Sequence, residues 1–264
     1  MRIATWNINS VRLRQDLVVR ALGELAPDVL CLQETKSPND AFPARAFAAA
    51  GYGHALLAGM KGYNGVAIVS RQPLTAVPTR DWCERQDCRH IAAALPNGWI
   101  VHNFYVPSGG DIPDPETNPK FRHKLDFVAE MADWWPATGA AGHPTIMVGD
   151  LNIAPLENDV WSHRQMLDVV SHTPVEVEAL TAMQSSIGWV DAVRRVIPAE
   201  DKLYSWWSYR ARDWEASDRG RRLDHIWVTE PLANRIGGAG ILRQARGWEP
   251  KPSDHVPVWL DLTD

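Results

Sequence analysis

The sequence contains little of what covalent cross-linking or membrane insertion would require. Only 3 of its 264 residues are cysteine, and none of them has C-x-x-C spacing. This disfavours a disulfide framework and favours a reducing compartment. No apolar run reaches the length of a membrane span, and the first residues, MRIATWNINS, lack the apolar segment of a signal peptide. We therefore expect a cytoplasmic protein with no membrane partner.

The sequence also has no excess of positive charge, because 27 lysines and arginines stand against 32 acids and the formal net charge is −5. Proteins that bind nucleic acid usually show a basic surface, so the total charge does not favour such a partner. The local distribution differs from the total. From Tyr204 to Arg222 there are five arginines against three acids, interleaved with tryptophan and tyrosine. A nucleic-acid surface remains possible in this segment.

Two catalytic signatures are absent. The zinc-protease motif H-E-x-x-H does not occur, and neither does the glycine-rich loop that holds phosphates in kinases and NTPases. The composition is otherwise that of a globular protein, with 45% hydrophobic and 22% charged residues. These features leave other hydrolases as the main class of enzyme.

Period-2 hydrophobic patterns predict strands throughout the chain, with helical patterns between several of them. The predicted strands are Arg2–Ile8, Asp28–Gln33, His54–Ala58, Gly65–Ser70, Trp99–Val106, Thr145–Val148, Leu223–Val228 and Val256–Leu262, and the predicted helices are Val11–Leu25, Lys120–Trp135 and Val175–Ser186. Strand–helix alternation gives way to adjacent strands, which is typical of stacked sheets with helices outside. No linker divides the chain, so we expect one α+β domain over residues 1–264.

Polar side chains recur where the predicted core strands begin or end. They are Asn7, Glu34, Tyr105, Asp150, Asn152, Asp224, Asp254 and His255. Each has an ordinary alternative, such as a helix cap for Asn7 or a turn for Asp150. Stacked sheets could instead bring these ends together at one edge. Oxygen ligands without cysteine suit Mg²⁺ or Mn²⁺, and a histidine beside an acid suits proton handling, so the set predicts metal-assisted hydrolysis of a phosphate ester.

These residues and their order resemble the exonuclease III branch of the endonuclease/exonuclease/phosphatase superfamily. The motifs that carry the resemblance are WNINS, LQETK, NFYVPSG, GDLNIAP, SWWSYR, RRLDHI and KPSDHVPVW, and they span nearly the whole chain. The resemblance implies a DNase I-like fold, which is a four-layer αββα sandwich of two packed mixed β-sheets flanked by helices. It places the active site at one edge of the two sheets.

The resemblance also implies a role for each residue. Glu34 would be the main Mg²⁺ ligand, and the metal's other neighbours would be Asn7, Asp254, Asp150, Asn152 and His255. Asp150 would orient and deprotonate the attacking water, with Asn152 hydrogen-bonded to it or to the phosphate. His255 would contact a phosphate oxygen and be oriented by Asp224, while Tyr105 would support the developing charge.

A DNA-facing surface is implied for SWWSYR and the arginines near it. Its expected members are Trp206, Trp207, Arg210, Arg222 and Arg89, and which of the two tryptophans faces DNA stays open. Two departures from the family pattern, His90 after Arg89 and the absence of Asn-x-Gly before Arg221, lie in these DNA-facing segments. They concern substrate preference more than catalysis.

The expected function is a Mg²⁺-dependent DNA repair nuclease, with Mn²⁺ as a possible substitute. It would incise duplex DNA 5′ to abasic sites and act on 3′ ends as an exonuclease or phosphodiesterase. Two alternatives remain, a phosphodiesterase of the same fold that acts on a small non-nucleic-acid substrate, and a catalytically silent DNA-binding protein. The number of metal ions, the balance of activities and cleavage of RNA in hybrids stay open, with a monomer as the expected state.

Overall fold

A computed structural model describes residues 1–263 and contains the eight strands that the sequence predicts, together with six others. The strands are β1 Arg2–Asn7, β2 Val29–Gln33, β3 His54–Ala58, β4 Val66–Ser70, β5 Thr75–Val77, β6 His90–Ala94, β7 Ile100–Tyr105, β8 Thr145–Asp150, β9 Val190–Asp191, β10 Trp206–Trp207, β11 Gly220–Arg221, β12 Asp224–Val228, β13 Ile236–Ile241 and β14 Val258–Leu262.

Three long helices match the predicted ones, and the others are short. The α-helices are α1 Gln15–Leu25, α2 Ala44–Ala49, α3 Pro119–Thr138, α4 His163–Met166, α5 Pro174–Ser185, α6 Ala192–Val196, α7 Trp214–Ser217 and α8 Glu230–Ala233; 3-10 helices cover Asn39–Ala41, Ala140–Gly142, Glu157–Asp159 and Arg243–Gly247. Among the described residues, no helix is both long enough and apolar enough to cross a membrane.

Two six-stranded mixed sheets form the centre of the fold. Sheet A has the strand order β13-β14-β1-β2-β4-β3, sheet B has the order β5-β6-β7-β8-β12-β9, and β10 and β11 form a separate ribbon. Strands β1 and β2 run parallel in sheet A, as do β7 and β8 in sheet B, and the other pairs within the sheets are antiparallel. The carboxyl ends of β1, β2, β7 and β8 can therefore meet at one edge.

Side chains that alternate along each strand build three apolar layers. One face of each sheet packs against the other sheet; this inner core includes Ile3, Cys31, Ile68, Leu260, Val101, Ile146, Val148 and Ile226. The opposite face of sheet A packs on α1 and α2, and that of sheet B packs on α3 and α5. The helix–sheet–sheet–helix order confirms the predicted four-layer sandwich. The inner core draws on both ends of the chain, an arrangement that supports one domain.

Helix boundaries differ from the prediction where the backbone requires it. Helix α1 begins at Gln15 rather than Val11, because residues 11–14 form a turn that ends at Arg14, whose φ of −118° and ψ of 23° are not helical. Helix α3 begins one residue early because Asn118 caps it, accepting a hydrogen bond from the Lys120 amide, with proline at the first helical position. Both changes position the loops that lead into the strand ends.

A buried ion pair connects α3 and α5 beneath the strand-end loops. The Lys124 ammonium contacts the Glu176 carboxylate, and both side chains are fully buried. Lys124 also donates to the carbonyl oxygen of Asn152 at 2.7 Å, and Glu176 accepts from the backbone amides of Ser171 and Thr173. One buried charge pair thus holds two loops against the helical layer.

We predict that Lys124→Met lowers the free energy of unfolding by about 3–5 kcal/mol, because it leaves the Glu176 carboxylate buried without its cation. Urea denaturation would measure the change. The control is Arg122→Met, which removes the pair with Glu116 on the exposed face of α3 and should cost less than about 1 kcal/mol. Equal losses in the two variants would contradict a special role for the buried pair.

Candidate active site

The strand ends of the two sheets place the predicted polar residues at one edge. In sheet B, Tyr105 lies opposite Asp150 in the parallel pair, and Asp150 lies opposite Asp224 in the antiparallel pair. In sheet A, Asn7 ends β1 beside the last residue of β2, and Glu34 follows directly. Side-chain contacts connect the sheets here, since the Asn7 amide nitrogen donates to Glu34 Oε1 and Asp150 Oδ2, both at 2.9 Å.

His255 is held between two carboxylates. Its Nδ1 lies 2.8 Å from Asp224 Oδ2, and its Nε2 lies 3.7 Å from Asp150 Oδ2. The Ser205 hydroxyl donates to the same Asp224 oxygen at 2.6 Å and fixes that carboxylate in turn. Ser253, two residues before His255, donates to the carbonyl oxygen of Asn7 at 2.7 Å. The sequence motifs include both serines, but neither was predicted as a site residue.

The charges of this group depend on one another. Burial opposes a charge on His255, but the Asp224 and Asp150 carboxylates outweigh burial and raise the pKa of His255 to about 10. Burial raises the pKa of Asp150 to about 7, and the attraction of His255 only partly offsets that rise. The pair therefore consists of an imidazolium and a carboxyl group that takes up a proton more readily than an ordinary aspartate.

Asp150 is oriented by its neighbours on the same loop. The Asn152 backbone amide donates to Asp150 Oδ1 at 2.9 Å, and the Asn152 side-chain amide donates to Asp150 Oδ2 at 3.1 Å. Asn152 adopts a positive φ of 54°, which turns the chain back toward the carboxylate. Gly149 has a φ of +142°, and a Cβ there would lie 1.9 Å from the Phe104 carbonyl oxygen. Only glycine fits before Asp150.

Glu34 faces the cleft as an ionised carboxylate. Burial raises its pKa, but Lys36, whose ammonium lies 2.7 Å from Oε2, and the Asn7 amide outweigh burial and lower it overall. The side-chain oxygen Oδ1 of Asn7 accepts a hydrogen bond from the backbone amide of Asn9 at 3.1 Å. In this arrangement Asn7 holds two carboxylates through its nitrogen, and its oxygen would coordinate a metal only after the amide had rotated.

Three carboxylates, those of Glu34, Asp150 and Asp254, line the same cleft. The Asp254 carboxylate accepts hydrogen bonds from the side-chain amide of Asn9 at 3.2 Å and from Trp206 Nε1 at 3.0 Å. Such a set of hard oxygen donors fits a divalent cation of the Mg²⁺ type. A tighter group is formed by Asp150, Asp224 and His255, with one potential ligand atom of each lying within 4.8 Å of the others. That group fits a cation less well, because its histidine is itself protonated.

Tyr105 lies beside the carboxylates as a neutral phenol. Burial, Glu34 and Asp150 all raise its pKa well above the ordinary value. Arg89 stacks on its ring at 4.8 Å, pairs with Asp87, and is only 12% exposed. Arg89 therefore lies behind Tyr105 rather than on the open surface.

The structure separates the residues expected to face DNA. Trp206 and Arg210 line the cleft, and Arg210 is exposed. Trp207 lies on the other side of the ribbon, 1% exposed, with its Nε1 donating to Asp218. The prediction for Arg222 is wrong, because its guanidinium is buried between the carboxylates of Asp159 and Asp191. Of the two tryptophans between which the sequence left the choice open, Trp206 lines the cleft and Trp207 is buried.

The cleft encloses about 720 Å³ and is lined by more residues than the motifs indicated. The additional ones lie mainly on the loop after Asn152 and on the arginine-rich segment; they include Trp161, Met166, Val169, Arg219 and Arg221. Trp161, Met166, Val169 and Arg219 lie outside the motifs quoted from the sequence. Arg221 lies within RRLDHI, but the motif does not show which of Arg221 and Arg222 faces the cleft.

The chain is similar to known proteins in sequence and in fold. The sequence matches the Endonuclease/Exonuclease/phosphatase family over residues 4–255. It is 31% identical to exodeoxyribonuclease III of Haemophilus influenzae over 273 aligned residues, which cover 99% of this chain and 100% of that protein.

Two solved structures are also similar over nearly their full length. An AP endonuclease from Archaeoglobus fulgidus has a TM-score of 0.91 and 33% identity, with 99% of each chain covered. The 3′-5′ exonuclease NExo from Neisseria meningitidis has a TM-score of 0.91 and 31% identity, with 100% of each chain covered. The chain thus belongs to the Endonuclease/Exonuclease/phosphatase family.

Proposed function

We propose that this protein is a Mg²⁺-dependent DNA repair nuclease that hydrolyses phosphodiester bonds in duplex DNA. It incises 5′ to abasic sites and removes nucleotides or blocking groups from 3′ ends. The observation that carries the proposal is the contact of the Asp224–His255 pair with Asp150 at the edge of a cleft lined by carboxylates. Similarity to an exodeoxyribonuclease III, an AP endonuclease and a 3′-5′ exonuclease supports DNA as the substrate.

The residues divide the chemistry between them. Asp150, whose pKa burial raises to about 7, is suited to accept a proton from a water molecule as the water oxygen bonds to phosphorus. As that bond forms, the bond from phosphorus to the leaving 3′ oxygen breaks, and solvent water supplies the proton to that oxygen. His255, kept protonated by Asp224, offers Nε2 to a non-bridging phosphate oxygen on which negative charge accumulates. Asn152 fixes the direction of the Asp150 carboxylate, and the neutral Tyr105 hydroxyl can donate to the same charge.

Mg²⁺, or Mn²⁺ in its place, would be held by Glu34 and Asp254, with Asp150 and the Asn7 amide beside it. When bound, the ion supplies positive charge that a phosphodiester needs before an anionic or neutral oxygen can attack it. Lys36 neutralises Glu34 in the described structure, so its ammonium would have to yield to the ion at that carboxylate.

We infer that the protein acts as a cytoplasmic monomer. The described cysteines, Cys31, Cys83 and Cys88, are all free thiols, which supports a reducing compartment. All the proposed catalytic groups come from one chain, so the site needs no second copy.

A labelled duplex with one internal abasic analogue tests the function directly, beside an intact duplex with a recessed 3′ end. We expect a single Mg²⁺-dependent nick 5′ to the analogue, and a ladder shortened from the 3′ end of the intact duplex; EDTA should abolish both. If folded protein with Mg²⁺ cut neither duplex, the proposal would fail, and small phosphodiesters would become the substrate class to test.

Asp150→Asn should lower the rate of cleavage by roughly two to four orders of magnitude, because it removes the base but almost no volume. DNA binding and the thermal midpoint should change little. Asp111→Asn is the matched control, since Asp111 is an exposed aspartate that lines the same cleft. Near wild-type turnover in Asp150→Asn would rule out Asp150 as the base.

Glu34→Ala should raise the Mg²⁺ concentration that gives half-maximal cleavage by about tenfold or more, since even outer neighbours of a bound ion contribute that much. A Mg²⁺ titration of the initial rate measures the shift, with Asp111→Asn again as control. If Glu34→Ala kept the wild-type Mg²⁺ dependence, Glu34 would not be the principal ligand.

A further inference from the structure

Arg221 and Arg222 are consecutive cations in opposite surroundings. Arg222 is turned into the protein, where Nε and Nη2 bind Asp159 at 2.8 and 3.0 Å and Nη1 binds Asp191 at 2.7 Å. Its charge is therefore neutralised within the fold. Arg221, the last residue of β11, is turned the other way and lines the cleft that contains Asp150 and His255.

Arg221 lacks a comparable counter-charge. Among residues 1–263 no carboxylate oxygen lies within 4.0 Å of its guanidinium; the Nη1 donates instead to the Val170 carbonyl at 3.0 Å and to the Ser171 hydroxyl at 2.9 Å. Its Nε is buried and has no acceptor among these residues. Burial lowers the pKa of Arg221, and Glu176 only partly opposes this, but a guanidinium stays charged at neutral pH.

The position of Arg221 is fixed by an aromatic ring next to the reactive groups. Its guanidinium carbon stacks 4.9 Å from the Trp206 ring, and the backbones of Trp206 and Arg221 pair in the β10–β11 ribbon. Trp206 also pairs with His255 through an isolated bridge, and its Nε1 binds Asp254. One indole ring thus separates Arg221 from the residues that would hold the phosphate.

A largely buried cation with neutral partners is costly unless a ligand supplies the opposite charge. Met166, Val169 and Leu223, which pack together with Trp206, also line this cleft. A neutral abasic sugar could contact these apolar side chains, but its uncharged oxygens would accept only a weaker hydrogen bond from the guanidinium. A carboxylate or phosphate would gain a charge-assisted hydrogen bond from it.

We propose that Arg221 is a specificity-determining residue that binds a terminal oxyanion on the group attached at the scissile phosphate. The inference rests on the proposed function and narrows its substrate class. The cleft prefers 3′ ends on which the scissile phosphate carries a group with a carboxylate, such as a phosphoglycolate, over an internal abasic site. Arg221 acts on binding of the substrate rather than on the proton transfers.

Four duplex substrates test this preference: a 3′-phosphate, a 3′-phosphoglycolate, a 3′-hydroxyl end and an internal tetrahydrofuran abasic analogue. For Arg221→Met, kcat/KM on the 3′-phosphoglycolate end should fall by about ten- to a hundredfold, mostly through KM, whereas kcat/KM on the 3′-phosphate, whose oxyanions all lie on the scissile phosphorus, should change little. Arg219→Met is the matched control, because Arg219 is exposed in the same cleft and stacks on Trp161. This control variant should lower kcat/KM on all four substrates by a similar small factor.

The deciding quantity is the ratio of kcat/KM between the phosphoglycolate end and the abasic analogue within one preparation, which does not depend on the folded fraction. Arg221→Gln provides a second variant that keeps a donor for Val170 and Ser171 but removes the charge. An unchanged ratio in both variants would overturn the role of Arg221. Failure of the wild-type protein on all four substrates would instead overturn the proposed nuclease function.

Discussion

The geometry of the cleft depends on holding the nearly buried Asp150 carboxylate in place at the junction of the two sheets. Burial of a carboxylate is tolerated only when hydrogen bonds and an opposite charge surround it. Asn7 from sheet A, Asn152 from its own loop and His255 from the segment before β14 supply these contacts. His255 is held in turn by Asp224, and Asp224 is held by Ser205. The same contacts that stabilise the charge therefore set the geometry of the proposed reaction.

Much of the fold was predictable because its central strands carry strong hydrophobic patterns. The eight predicted strands are all present, and they form the consecutive runs β14-β1-β2-β4-β3 of sheet A and β7-β8-β12 of sheet B. The missed strands have weak local signals. Strand β13 contains three glycines, and β9, β10 and β11 are only two residues long, so contacts with neighbouring strands define them. The short helices were missed for a similar reason, since four to six residues carry no clear period.

The candidate site was predictable as a set of residues but not as an arrangement. Motif order identified the carboxylates and His255, which the structure brings to one edge. It did not show which of two adjacent side chains faces the cleft, as the pairs Trp206–Trp207 and Arg221–Arg222 demonstrate. Trp206 and Arg221 are partners in the β10–β11 ribbon and line the same cleft, so the side of the ribbon that faces the cleft decides both pairs. That choice depends on Asp159 and Asp191, which bind Arg222 and lie far away in the sequence.

The bond between Ser253 and the carbonyl of Asn7 joins positions 246 residues apart. Strand β1 lies between β2 and β14, so the centre of sheet A is complete only when the last strand has paired with the first. A nascent chain on the ribosome therefore has Glu34 and Asp150 long before it has His255. A partly synthesised chain that stops before residue 255 therefore lacks one of the proposed catalytic groups.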